Sequence, residues 1–198
     1  EKFNKPINNI FFDLNCLIHP CCRGLTDEGE MFIKIYEYII KIVNICKPTD
    51  LIYIAIDGVC PRAKIEQQRK RRFTSALEKK IWDTNAITPG TPFMNKLNYF
   101  LKNKFIKNKN IIISDSDIAG EGEHKIMYYI KKNNNKSDIN IVYGLDADLI
   151  HLSLIRDNNI YLLRERTEFN FEKIDSEFVF LNIHQLKKYL IQDIKKNY

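Results

Sequence analysis

Short apolar runs alternate with longer amphipathic stretches along the chain. Four runs are rich in β-branched and aromatic residues, which predicts buried strands at residues 9–12, 51–56, 110–113 and 139–143. Other stretches carry apolar residues at helical spacing, which predicts helices at residues 32–45, 63–81, 93–105 and 124–132. Strands that alternate with helices in this way form an α/β fold, with a mostly parallel sheet flanked by helices.

The rest of the pattern adds to this sheet without dividing the chain. Residues 160–163 are predicted to form a further strand and residues 183–194 a final helix. The 198 residues show neither an internal repeat nor a linker, so we expect a single domain over residues 1–198. The sequence begins at Glu1 rather than at a methionine, and we expect the domain to be truncated at both ends of this segment.

The composition is that of a soluble globular protein, with 44% hydrophobic and 28% charged residues. No uncharged apolar run approaches the roughly 20 residues of a membrane span, so we expect no membrane association. The five cysteines follow no disulfide spacing, which favours reduced thiols inside a cell. Structural zinc sites usually draw their ligand pairs from separate places, which disfavours zinc at the cluster of Cys16, His19, Cys21 and Cys22.

An acidic residue follows each of the four predicted strands, either directly or after a short segment. These residues are Asp13, Asp57, Glu121, Glu123, Asp146 and Asp148. Taken singly, an aspartate after a strand is usually a turn former or a helix N-cap. Because the carboxyl ends of parallel strands meet at one edge of an open sheet, where ligands bind, the sequence instead predicts that six carboxylates converge there.

Such a cluster requires a cation. Like charges held close together raise one another's pKa and destabilise the fold unless something neutralises them. Oxygen ligands with little histidine suit Mg²⁺ or Mn²⁺ better than zinc. Two ions about 4 Å apart can activate a water and stabilise the leaving oxygen in a displacement at phosphorus. The acids therefore predict phosphodiester cleavage that depends on divalent metal ions.

Arginine is concentrated beside one of these acids. Of eight arginines, four fall within residues 62–72, although lysine supplies most of the basic charge elsewhere. Guanidinium can grip a phosphate with two hydrogen bonds. At 100° per residue, Arg69 and Lys70 point away from a common face that is formed by Lys64, Gln68, Arg71 and Arg72. This face is either a solvated helix surface or a phosphate-binding site. The helix begins at the same sheet edge as the acids, which favours phosphate binding.

The sequence resembles the N-terminal nuclease domain of the XRN family of 5′→3′ exoribonucleases in four motifs. These motifs are residues 57–72, 87–91, 120–127 and 143–150. The resemblance implies a fold like that of the PIN domain and flap endonucleases. It also implies hydrolysis of 5′-monophosphorylated single-stranded RNA to mononucleotides, with Mg²⁺ or Mn²⁺, in RNA decay or processing. Residues 18–21, 114–115 and 177–181 are more similar to nuclear than to cytoplasmic members, so the nucleus is the expected location.

The resemblance also implies roles for individual residues. The six acids match metal ligands of the family, whereas Lys64, Gln68, Arg71 and Arg72 match its pocket for the 5′-monophosphate. His19 matches a residue that stacks on the 5′ nucleotide. In the family a seventh acid, in a Gly-Asn-Asp motif, and a second region of the substrate channel come later in the chain, so the activity of residues 1–198 alone stays open.

Two other functions remain to be compared with RNA exonuclease activity. One is a structure-specific 5′ DNA nuclease related to flap endonucleases, which would use the same acids. The other is a catalytically inactive RNA-binding scaffold. The presence of all six acids argues against the scaffold, and the sequence of residues 64–72 favours RNA.

Overall fold

The computed structural model describes residues 6–77, 81–133, 135–144, 146–166 and 176–197, and its centre is a six-stranded sheet. The strands are β1 (Asn9–Asp13), β2 (Leu51–Ala55), β3 (Ile111–Ser114), β4 (Ile139–Tyr143), β5 (Asn159–Glu165) and β6 (Phe178–Asn182). Their order across the sheet is β3-β2-β1-β4-β5-β6, and every neighbouring pair is parallel except β5 and β6. The predicted α/β fold with a mostly parallel sheet is confirmed.

The central strand β1 lies between β2 and β4 and is buried along its whole length. Phe12 is opposite Ile54 of β2 and Tyr143 of β4. Every residue of β1 and of β4 is buried. Strands that are covered on both faces are apolar at nearly every position, which is why these segments appear in the sequence as continuous apolar runs.

Helices connect the strands and complete the chain. The described residues form α1 (Asn15–Cys22), α2 (Glu28–Cys46), α3 (Arg62–Leu77), α4 (Pro92–Phe105), α5 (Gly122–Asn133), α6 (Asp148–Leu154) and α7 (Ile183–Asn197), with a 3-10 helix at Thr84–Ala86. Asp27 caps α2 by accepting a hydrogen bond from the backbone N–H of Glu30 at 2.8 Å, which satisfies a donor that the helix leaves unpaired. Within the described ranges, none of these helices is both long and apolar enough to cross a bilayer.

The sheet separates two apolar cores. Phe12 packs on one face with Ile35 of α2 and Leu97 of α4. Phe11 packs on the opposite face with Ile126 of α5. Because successive side chains of a strand point to opposite faces, the neighbours Phe11 and Phe12 belong to different cores and fix β1 between them.

The elements differ from the predicted ones in several places. The pattern does not predict α1, because Pro20 lies inside this helix and proline usually interrupts one. It does not predict α6 or β6, which are short elements of seven and five residues. The helix predicted at 63–81 is too long: α3 ends at Leu77, residues 78–80 lie outside the described ranges, and Ile81 is not helical.

The strand order reverses beside β1. Strands β2 and β3 follow on one side of β1, whereas β4 and β5 follow on the other. The connections leave the carboxyl ends of β1 and β4 in opposite directions, so a crevice opens between them. In open α/β sheets this switch point is where ligands bind.

Gly58 allows two loops to touch at this edge. Its backbone N–H donates to the carbonyl of Gly120 at 2.9 Å, and a Cβ at residue 58 would lie only 1.9 Å from the carbonyl oxygen of Ile118. Backbone atoms cannot retreat as a flexible side chain can. A side chain at residue 58 therefore has to push apart the loops that follow β2 and β3.

We expect Gly58→Ala to lower the free energy of unfolding by about 1–3 kcal/mol, the usual cost of overpacking. Urea denaturation measures this change. Gly29→Ala in α2 is the control and should cost less, because its Cβ would meet a side-chain oxygen, that of Asp27 at 3.0 Å, which can move where backbone cannot. Equal stability of the two variants would contradict a close contact between the loops.

Candidate active site

A cleft of about 400 Å³ opens at the carboxyl ends of β1, β2 and β4. One side of its lining is acidic and the other is basic. The acidic residues are Asp13, Asp57, Glu121, Glu123 and Asp146. The basic and neutral polar residues include His19, Lys64, Gln68, Arg71 and Arg72. The cleft therefore contains five of the six predicted acids and every residue predicted for the phosphate face and for stacking.

Asp13 lies deepest among the acids. It is the last residue of β1 and only 5% exposed. Burial, together with the charges of Asp57 and Asp146, raises the pKa of its carboxyl to about 7, although a hydrogen bond from the Cys16 thiol at 3.2 Å opposes the shift. Without a cation to neutralise it, this carboxyl therefore keeps its proton to a higher pH than an ordinary aspartate does.

Asp57 is two residues beyond β2, and its carboxylate and that of Asp13 both lie near Gly122. Its Oδ1 accepts a hydrogen bond of 2.6 Å from the backbone N–H of Gly122, and its own N–H donates to Asn15 Oδ1 at 3.0 Å. Burial raises the pKa of Asp57, the hydrogen bond from Gly122 lowers it, and the charge of Glu121 adds to the increase. The carboxylate is thus fixed by α5 even though it repels its neighbours.

Gly122 is what lets α5 begin between these two carboxylates. A Cβ at residue 122 would lie 2.6 Å from Asp13 Oδ1 and 3.4 Å from Asp57 Oδ1. A side chain there would have to displace the carboxylate of Asp13. Gly122 thus lies beside Asp13 and Asp57, and its neighbours in the chain are Glu121 and Glu123.

Glu121 and Glu123 are both buried at the start of α5. Burial, and then the charge of Asp13, raises the pKa of Glu123 to about 7. Glu121 Oε1 lies 2.7 Å from Lys64 Nζ. His124 Nδ1 is 3.6 Å from Glu121 Oε2 and 3.7 Å from Glu123 Oε1, and one ligand atom from each of the three residues lies within 4.8 Å of the others. This group could share one cation.

Asp146 and Asp148 are exposed, unlike the other acids. Arg164 Nη2 donates to the carbonyl of Asp146 at 2.6 Å, and Asp146 Oδ1 accepts from the backbone N–H of Asp148 at 3.1 Å. Asp146 lines the cleft, whereas Asp148 is the first residue of α6 and lies outside the lining. The structure thus brings five of the predicted acids together and leaves Asp148 at the border.

The basic wall is formed by α3, a helix without any buried residue. Gln68 Oε1 accepts a hydrogen bond from the Cys60 thiol at 3.4 Å, and the carbonyl of Arg72 accepts one from Asn85 Nδ2 at 3.4 Å. Arg69 is outside the lining and lies 3.5 Å from Glu66 on the exposed side of the helix. The predicted division of α3 into a cleft face and an outer face agrees with this arrangement.

Sequence reasoning missed several residues of the cleft, namely Asn15, Ser75, Thr84, Asn85 and Thr88. Thr88 lies in one of the quoted motifs, residues 87–91, but no chemistry pointed to it. Cys21 and Cys22 are buried, which raises their pKa values to about 11 and about 12, and neither belongs to a group of three ligands among the described residues.

Comparisons with known proteins agree on the family of this sequence. Residues 1–166 match the family described as "XRN 5'-3' exonuclease N-terminus". The 5'-3' exoribonuclease 2 of Eremothecium gossypii is 38% identical over 210 residues, which cover 82% of this chain and 22% of the relative. That of Saccharomyces cerevisiae is 34% identical over 263 residues, which cover 96% and 26%. The chain thus spans about a quarter of the length of the curated relatives it matches.

The fold is also similar to that of a solved nuclease. "The catalytic core of Rad2 in complex with DNA substrate (complex III)" has a TM-score of 0.52 at 16% identity, and the match covers 93% of this chain and 50% of that one. This likeness confirms the predicted fold class, which resembles flap endonucleases.

The raised carboxyl pKa values predict how stability depends on pH. The pKa of Asp13 increases from 3.8 to about 7 and that of Glu123 from 4.5 to about 7, so the folded protein retains protons that the unfolded chain releases. Stability therefore decreases as pH rises from about 4 to about 7 in a metal chelator. Melting temperatures measured across this range should fall, and Asp13→Asn should reduce the fall.

Glu66→Gln is the matched control, because Glu66 is exposed and lies 3.5 Å from Arg69 at the surface. A pH profile of Asp13→Asn that matches those of Glu66→Gln and the unaltered protein would contradict the assignment of Asp13 as a destabilising buried acid.

Proposed function

This chain belongs to the family of the XRN 5′-3′ exonuclease N-terminus, as its motifs predicted, and on that premise we propose that it supplies the nuclease core of a 5′→3′ exoribonuclease. Its substrate is single-stranded RNA with a 5′-monophosphate, and its products are mononucleotides. The observation that carries this proposal is one cleft with buried carboxylates on one side and a cationic helix face on the other.

The acids are suited to divalent ions. Five carboxylates line the cleft, and two of them have pKa values near 7 because of burial and mutual repulsion, so a cation would relieve an unfavourable arrangement. Oxygen donors of this kind suit Mg²⁺ or Mn²⁺. Asp13, Asp57, Glu121, Glu123 and Asp146 would hold two ions, with Asp148 at the border. Bound ions supply the charge that activates water and stabilises the leaving oxygen in phosphodiester hydrolysis.

The cationic face would hold the terminal phosphate. Arg71 and Arg72 can each offer two hydrogen bonds to a phosphate, and Lys64 adds a point charge. Gln68 Oε1 already accepts a hydrogen bond from Cys60, so its amide N–H groups remain for an anion. His19, which is exposed in the cleft, would stack on the first base.

The 5′→3′ direction of degradation follows from this arrangement. A phosphate held by α3 places the next phosphodiester at the acids, so each cut removes one nucleotide from the 5′ end. The six-stranded sheet of the described residues, with the cleft at its edge, supports a single nuclease domain over residues 1–198. The resemblance to nuclear members, together with relatives named 5'-3' exoribonuclease 2, supports action in the nucleus.

The main test compares the ends of the substrate. In Mn²⁺ or Mg²⁺ the protein should release mononucleotides from 5′-monophosphorylated RNA, and should act poorly on the same RNA with a 5′-triphosphate or a 5′-hydroxyl. Asp146→Ala should abolish turnover but leave RNA binding largely intact, because the basic wall is unchanged.

Other outcomes distinguish the alternative functions. Preference for a 5′-flap DNA over single-stranded RNA would replace the proposal with a DNA nuclease. RNA binding without cleavage at any concentration of Mn²⁺ would replace it with a scaffold. Equal degradation of all three RNA ends would contradict the role of the cationic face.

A second prediction separates the two faces of α3. Arg71→Gln should lower kcat/KM on 5′-monophosphorylated RNA roughly tenfold to a hundredfold, because a charged hydrogen bond is worth about 1.5–3 kcal/mol. Arg69→Gln changes the same residue type two positions away on the exposed side and should leave kcat/KM close to that of the unaltered protein. Steady-state kinetics measure both, and equal losses would show that α3 acts only through its overall charge.

A further inference from the structure

A buried lysine lies behind the acids and outside the cleft lining. Lys125, in the second turn of α5, is only 8% exposed. We infer that Lys125 is a positioning residue for the metal-binding acids, because its ammonium connects the three elements that carry Asp57, Glu121 and Glu123. This inference rests on the proposed function, since it concerns the same metal site.

The contacts of Lys125 define this role. Its Nζ donates to the carbonyl of Ile56 at 2.7 Å and to the carbonyl of Asp115 at 2.8 Å. Ile56 directly precedes Asp57, so one hydrogen bond holds the chain at the point where it leaves β2. The lysine itself lies two residues after Glu123 on α5, so the same ammonium connects α5 to the end of β2.

The second acceptor begins the loop that leads to Glu121. Asp115 directly follows β3 and begins a turn. The carbonyl of Asp115 also accepts a hydrogen bond from the backbone N–H of Ile118 at 3.3 Å. Its side-chain Oδ1 accepts another from the backbone N–H of Asp117 at 3.0 Å. The loop then reaches Gly120, whose carbonyl accepts the N–H of Gly58. Lys125 therefore supports both loops that Gly58 and Gly120 join.

An ammonium is suited to this position. It offers three N–H donors in a compact group, so it can serve two carbonyls that converge from different strands. Removing it would leave those carbonyls buried without this partner, and the chain would relax toward other donors. Such a shift would move Asp57 and Glu121. The distances between their oxygen atoms would then no longer fit a metal ion.

Lys102 provides a matched control. It pairs with the carboxylate of Asp115, but from the surface, with its side chain 54% exposed. Both variants thus remove one ammonium from Asp115. Lys125→Met removes the buried partner of its carbonyl, and Lys102→Met removes the exposed partner of its carboxylate. A general effect of charge or stability should appear in both variants.

The test measures Mn²⁺ binding directly, by electron paramagnetic resonance of the free ion, in the absence of RNA. Lys125→Met should weaken Mn²⁺ binding about tenfold to a hundredfold, the usual effect of losing a residue that orients metal ligands, whereas Lys102→Met should stay within about twofold of the unaltered protein. In activity assays, raising Mn²⁺ should restore most of the kcat of Lys125→Met, because all the acids are still present. The KM for RNA should remain close to its original value.

Three results would decide against the inference or the proposal beneath it. Unchanged Mn²⁺ binding in a folded Lys125→Met variant would overturn the role of Lys125 alone. Equal losses in Lys125→Met and Lys102→Met would also overturn it. Failure of the unaltered protein to bind Mn²⁺ would instead overturn the proposed metal site.

If Lys125→Met does not fold, as judged by circular dichroism, Lys125→Gln replaces it in the comparison with a smaller expected loss of Mn²⁺ binding, because its amide keeps N–H donors but is one bond shorter. The ¹⁵N resonance of the Lys125 ammonium in the unaltered protein gives a second readout. It should move when Mg²⁺ is added, whereas that of Lys102 should not. A Lys125 resonance that ignores Mg²⁺ would contradict the inference without any variant.

Discussion

Repulsion between buried carboxylates governs the organisation of this edge of the sheet. Asp13 and Asp57 lie on either side of Gly122, close enough that the charge of Asp57 helps to raise the pKa of Asp13. The fold tolerates this because the sheet buries β1 on both faces, and because the Gly122 N–H holds Asp57 and the Cys16 thiol holds Asp13. The packing of the core thus offsets a local cost that a bound cation would remove.

The two walls of the cleft differ in how deeply their elements are buried. The acids of β1, β2 and α5 are attached to the most buried elements, whereas the cationic residues belong to a helix that buries none of its side chains. Catalysis at phosphorus requires ligands at fixed separations. A terminal phosphate can be held by long side chains that adjust individually, so less packing suffices there.

The sequence could predict the edge at which these groups meet, but not how they are held. Strand ends and helical spacing located Asp13, Asp57, Lys64 and Arg71 in the cleft, because both follow from local periodicity. Lys125 escaped notice, since a lysine in an amphipathic helix is usually solvated and only the fold brings two carbonyls to it. The lining residues Thr84 and Asn85 contact Ser75 and Arg72 of α3, and no local pattern encodes those contacts.

The lack of buried residues in α3 has a consequence for how this protein can change. Substitutions on a helix that contributes little to the core leave the folding equilibrium nearly untouched, so they can accumulate without being removed for instability. Preference for one kind of nucleic-acid end can therefore drift, or be redesigned, independently of the catalytic centre. The buried acids that form the catalytic centre and the exposed helix α3 can therefore evolve separately.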